Sequence, residues 1–146
     1  MRVGVARSDP DAVLAVPEAT VPRDRSTVQS IVCIVAEYDA ILVYVGLPLT
    51  LDGEVGIAGA AAEAFADELA AALEVPVHLV DERLSTVSAQ RALHDAGRRS
   101  RQSRAIVDQA AAVVILESAL ARERADGTPA GRAVTVGGQE RREEQT

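Results

Sequence analysis

The stretch Ile41-Leu42-Val43-Tyr44-Val45-Gly46-Leu47, "ILVYVGL", decides the fold. A short, nearly continuous apolar run suits a strand buried on both faces. Gly46, Pro48, Asp52 and Gly53 mark the loop that follows. Ala58–Leu73 is alanine-rich, with Ala61, Phe65, Leu69 and Leu73 on one helical stripe. Val77–Val80 then supplies a second buried strand. Strand, helix, strand in this order implies a parallel crossover. In such sheets ligands sit beyond the carboxyl ends of the strands. The two exits here, Gly46–Thr50 and Asp81-Glu82-Arg83, face the same edge.

Working outward, Val3–Arg7 and Ala12–Val16 are β-prone and flank a turn signal, Ser8-Asp9-Pro10-Asp11, so a hairpin is expected. Val28, Ile31, Val32 and Val35 recur at helical spacing, and that helix should end near Glu37. Cys33 lies within it and is expected to pack as a small apolar group. Ser85 or Thr86 can cap a further helix that Gly97 ends. Ser100 can cap a last helix of about 24 residues. From Ala125 to Thr146 the composition turns to Gly, Pro, Arg and Glu, and a disordered tail is expected.

The 146 residues fit one domain, and a 48% hydrophobic content supports a core. No apolar run reaches membrane-spanning length, and no signal-peptide pattern opens the chain, so a cytoplasmic protein is expected. The net charge of −7 argues against indiscriminate nucleic-acid binding. Distribution matters more than the sum. All basic residues are arginine, and four of them, Arg98, Arg99, Arg101 and Arg104, fall within seven positions. They form either a solvated turn or a surface for a phosphate backbone.

Three acids stand out. Asp81 and Glu82 are adjacent on an extended segment, so their side chains point to opposite faces. They read either as a solvated loop start, with Glu82 paired to Arg83, or as ligands at the cleft. Asp108 shares the last helix with the stripe Val107, Ala111, Val114 and Ile115, at or within its buried face. A buried carboxylate needs a partner. Arg104, four residues earlier, is one candidate and a metal ion is the other. Oxygen ligands without cysteine or suitably spaced histidine suit Mg²⁺ or Mn²⁺. His78 and His94 lack metal spacing. Ser85 and Thr86 lack a histidine partner for nucleophilic hydrolysis, and Gly53 and Gly56 are too sparse for a phosphate loop.

Four segments together resemble the YqgF/RuvX family, which comprises pre-16S rRNA nucleases also described as Holliday-junction-resolvase-like. They are "VGVARSDP" (Val3–Pro10), "VGLPLTLDG" (Val45–Gly53), "VDERLSTVSAQRAL" (Val80–Leu93) and "IVDQAAAVVIL" (Ile106–Leu116). The resemblance implies a ribonuclease-H-like α/β fold over residues 1–124, a mixed sheet flanked by helices. It implies a metal-dependent, phosphodiester-cleaving nuclease that processes the 5′ end of pre-16S rRNA. Glu82 and Asp108 would then be catalytic, metal-binding acids for Mg²⁺ or Mn²⁺. Arg83, Arg98, Arg99, Arg101 and Arg104 would contact the nucleic acid. The same fold and acids also admit a junction resolvase, which must be dimeric to cut symmetrically. Oligomeric state is open.

Two departures matter. Family members begin with a strand carrying Asp-x-Gly, whereas Met1-Arg2-Val3-Gly4 starts inside the following segment. The first, central strand and its aspartate are therefore missing, and Asp9 and Asp11, in the hairpin turn, cannot replace it. Two half-sheets should flank an empty slot, leaving "ILVYVGL" incompletely buried. A non-catalytic binding protein is a further reading on this ground. The resemblance also implies that Met1 is a misassigned start, with an in-frame Asp-x-Gly strand encoded upstream. A stop codon directly before Met1 would instead make this a true truncation, weakly stable and inactive. Secondly, Glu54–Ala62 lacks the basic or amide side chain that many relatives place there, which puts substrate contact by that helix start in doubt.

Overall fold

A computed structural model describes residues 2–50, 52–82 and 102–135. The expected helix beginning at Ser85 or Thr86 lies outside them, as do Arg83, Arg98, Arg99 and Arg101. Strands β1 (Arg2–Ser8) and β2 (Ala15–Pro22) form an antiparallel hairpin, with Arg2 opposite Pro22 and Ser8 opposite Ala15. The second strand starts later than the sequence suggests because Ala12 belongs to the turn, at φ 56°. The Asp9 carboxylate closes that turn by accepting the N–H groups of Val13 (2.7 Å) and Leu14 (2.9 Å). Those bonds hold its carboxyl below the usual range. Pro17 and Pro22 cannot donate to a ladder, which fits β2 as an edge strand.

Helix α1 (Thr27–Glu37) follows a tight turn in which the Asp24 carboxylate accepts both the N–H and the hydroxyl of Ser26. The Thr27 hydroxyl is fully buried and accepts the Asp24 N–H at 2.8 Å. Ile31 is buried, and Val28, Val32 and Val35 pack beside it. Cys33 is exposed, contrary to expectation. Two residues past Ile31 means about 200° around the helix, away from the apolar stripe.

Strand β3 (Val43–Leu47), helix α2 (Ile57–Ala72) and strand β4 (Val77–Asp81) form the expected parallel unit, with Val43 opposite Val77 and Leu47 opposite Asp81. Phe65, Ala66, Leu69, Ala70 and Leu73 are buried against Val77 and Leu79. Ala61 is exposed, and Ala62 takes its place against the core. Helix α3 (Gln102–Asp126) is one long helix, as expected. Among the described residues, no helix is long and apolar enough to cross a membrane.

The residues after Asp126 correct the expectation of a disordered tail from Ala125. Strand β5 (Arg132–Ala133) pairs antiparallel with β4, His78 opposite Ala133 and Leu79 opposite Arg132. Ala130 and Val134 are 5% and 7% exposed, so this polar-looking segment places two apolar side chains in the core. The Ala130 N–H donates to the Tyr44 hydroxyl at 3.1 Å, and His78 Nδ1 donates to the Ala130 carbonyl at 2.9 Å. Arg132 pairs with Glu63 of α2 at 2.6 Å.

The strands divide into two groups, β1–β2 and β3–β4–β5. Among the described residues no strand pairs with the second edge of β1 or of β3. Val43, Tyr44, Val45 and Gly46 are accordingly only half-buried, and only Leu47 is fully so. Ile41, at 85% exposure, precedes the strand.

Gly131 makes the C-terminal segment testable. It sits at φ 68°, and a Cβ there would collide with the Leu79 carbonyl oxygen. Gly131→Ala is expected to cost about 1–3 kcal/mol, read as a lower midpoint in thermal or urea unfolding.

Candidate active site

Strands β3 and β4 end together, and their carboxyl edge carries Asp81 and Glu82. Parallel register fixes this: Leu47 stands opposite Asp81, so Glu82 emerges one residue beyond the last pair. Glu82 is half-buried. Its side chain lies over Gly46, and Ile115 of α3 closes on the same point. Poor solvation pushes the Glu82 carboxyl above its usual range, and the neighbouring Asp81 charge adds to the rise.

Helix α3 runs antiparallel to β3 and β4. Glu123 lies within 3.4 Å of the Tyr44 hydroxyl, Ala119 packs on Val80, and Ile115 meets Gly46 and Glu82 at the strand ends. Residues earlier in the helix therefore extend past the carboxyl edge. Asp108 is helical and precedes Ile115 by seven residues, about 10 Å along the axis. Its backbone thus lies beyond the carboxyl end of β3 and β4. The Asp108 side chain lies outside the described residues, as does that of Arg104.

Asp81 lines a cleft of about 230 Å³ together with Ile115, Ser118, Arg122 and Gly131. Gly46, Ile115, Ser118 and Arg122 went unremarked as site residues in the sequence reading. Only Gly46 left a signal there, as the one break in an apolar run. Ser118 and Arg122 are ordinary helical positions. Among the described residues no three histidine, cysteine or acidic side chains gather closely enough to hold a metal ion. Glu82 is a residue that could hold a divalent cation. It is a poorly solvated carboxylate beside a second acid, and nearby positive charge favours its ionised form.

The order of elements, the parallel strand ends and the acid at that edge accompany a clear sequence match. The pattern of the family described as RuvX, Holliday junction resolvase, covers residues 1–122. The chain belongs to the RuvX family. Relatives at about half identity carry the name "Putative pre-16S rRNA nuclease". The protein of Clavibacter michiganensis subsp. michiganensis is 51% identical over 136 residues, 91% of this chain and 84% of its own length. That of Streptomyces coelicolor is 48% identical over 138 residues, 92% of this chain and 83% of its own. That of Mycobacterium ulcerans is 49% identical over 136 residues, 87% and 80% respectively. RuvX membership agrees with the α/β architecture and with the resemblance carried by the four sequence segments.

The raised Glu82 pKa has a pH signature. A carboxyl whose folded-state pKa exceeds its unfolded value favours folding while protonated. That contribution is whole below the unfolded pKa and is lost as pH rises through the folded one. Near neutral pH the metal-free protein therefore carries a poorly solvated charge. Glu82→Gln is expected to raise the metal-free melting temperature by about 2–4 °C near neutral pH. The gain should vanish near about pH 4, as followed by circular dichroism.

Proposed function

We propose that this chain is a metal-dependent nuclease that processes the 5′ end of pre-16S rRNA. The observation that carries the reading is the half-buried Glu82 at the carboxyl edge of a parallel strand pair, on the side to which α3 brings Asp108. The names of the relatives support the substrate. Such a substrate implies a cytoplasmic site of action.

Glu82 and Asp108 would hold the cation, Mg²⁺ or Mn²⁺. When bound, it supplies an activated water and charge relief on the phosphoryl oxygens. The protein's own part is placement. On this reading, strand register sets Glu82 at the strand exit, and helix α3 carries Asp108. Without positive charge an acidic edge repels a polyanion, and the net charge of −7 adds to this. Arg83, Arg98, Arg99, Arg101 and Arg104 offset that repulsion by contacting backbone phosphates. Arginine suits this role because its planar guanidinium donates two parallel hydrogen bonds.

The reading is tested with labelled pre-16S RNA and a four-way DNA junction, each with Mn²⁺ and with EDTA. RNA cleavage should require Mn²⁺ and fall about 10²-fold or more in Glu82→Gln and in Asp108→Asn. Replacing Arg98, Arg99, Arg101 and Arg104 together with alanine should weaken RNA binding across sequences. It should also flatten the dependence of log affinity on log salt by about 0.7 per lost phosphate contact. Cleavage of the junction alone, by a dimer, would favour the resolvase reading. Metal-insensitive binding without cleavage would leave a binding protein.

A further inference from the structure

Strand β3 reads Val-Tyr-Val-Gly-Leu, and the glycine is out of keeping with its neighbours. Glycine inside a strand weakens it and marks a close approach by another group. Backbone conformation does not require one here. Among the described residues the glycines with positive φ are Gly53, Gly127 and Gly131, and Gly46 is not among them. Space does require it. A Cβ on Gly46 would lie 2.5 Å from Glu82 Oε1, 3.0 Å from Glu82 Cγ and 2.9 Å from Ile115 Cδ1. Two different elements thus converge on the volume that a single methyl group would fill. The floor of this space is rigidly tied to the residue it receives. Gly46 pairs with Val80, and Glu82 follows two residues later, one past the end of β4.

We propose that Gly46 is a positioning residue for the Glu82 carboxylate. Its bare backbone forms a niche, walled by Ile115, that holds the carboxylate where a cation is bound. This rests on the nuclease reading above and extends it to residues that touch neither metal nor substrate. A side chain at position 46 would not simply loosen the strand. It would push the Glu82 carboxyl out of the niche, and the end of a flexible side chain yields more readily than the backbone. The loss should therefore fall on the chemical step and leave the fold intact.

The test uses the full chain, pre-16S RNA and added Mn²⁺. Gly46→Ala should lower kcat about 10–100-fold, the range for groups that orient a metal ligand. KM for RNA should stay within about twofold, because the residues proposed to contact phosphate are unchanged. Unfolding should remain cooperative. In a Glu82→Asp background, where the shorter side chain withdraws from the niche, Gly46→Ala should cost little further. That coupling distinguishes positioning from general destabilisation, which would subtract equally in both backgrounds. If Gly46→Ala does not fold, Ile115→Phe fills the niche from the helix side and is read in the same way. Wild-type kcat in Gly46→Ala, alongside an inactive Glu82→Gln, overturns the proposal and leaves the nuclease reading standing. If wild type does not cleave and Glu82→Gln changes nothing, the nuclease reading falls. The niche is then decided by the nuclear Overhauser contact between the Ile115 δ-methyl and the Glu82 γ-protons. Its loss in Gly46→Ala supports positioning, and its persistence overturns it.

Discussion

One helix spans both halves of the molecule. The hairpin β1–β2 and the unit β3–β4–β5 form separate ladders, so backbone hydrogen bonding alone does not make them one body. Helix α3 lies along both. On the hairpin side, Gln109 donates to the Thr20 hydroxyl and Arg124 to the Ala12 carbonyl. On the other side Ile115, Ala119 and Glu123 face β3 and β4. The run Ala110–Leu116 is half-buried at every position. A helix packed on one sheet face would instead show a buried stripe and an exposed one. Pressed from two directions, it cannot. The placement of Asp108 relative to Glu82 therefore depends on the hairpin as well as on the parallel strands, although the hairpin contributes none of the proposed catalytic acids.

The electrostatics of the edge follow from the same packing. Glu82 emerges where the last paired residues leave β4, and α3 limits its access to water. Burial then works against its ionised form, with Asp81 reinforcing the effect. Asp9 and Asp24 show the opposite situation. Each sits in a turn and accepts local hydrogen bonds that favour its charge. These are acids whose structural purpose is satisfied by neighbouring backbone. The contrast separates a turn-closing carboxylate, whose charge is favoured, from one whose charge burial disfavours, a distinction that residue type alone does not make.

Much of this was legible before any coordinates. The apolar run ending in Gly46-Leu47, the alanine-rich helix and Val77–Val80 announced a parallel crossover, because each has the period its structure needs. The position of Glu82 at a strand exit followed directly. What stayed hidden depended on partners distant in sequence. Ala130 and Val134 are two apolar residues in a polar segment, too few to form a period, and only the edge of β4 gives them a place. Cys33 is exposed because the stripe Val28, Ile31, Val32 and Val35 takes the core side of α1 and leaves position 33 to solvent. Gly46 looked like a loop signal, and its role emerged only when the Glu82 and Ile115 side chains were seen to meet above it. The geometry of Asp108 is legible at the level of its helix and no further.

The chain contains no tryptophan and two tyrosines. Tyr38, at the end of α1, lies under the Arg7 guanidinium and touches Glu18, so it senses the hairpin against α1. Tyr44 stands edge-on to His78 and accepts the Ala130 N–H, so it senses whether the C-terminal segment is seated on β4. Ultraviolet absorbance and intrinsic emission from this protein are thus reports from two contacts, one in each half, and each can be silenced separately by a phenylalanine. The molecule carries its own pair of optical labels for asking whether its halves come apart together.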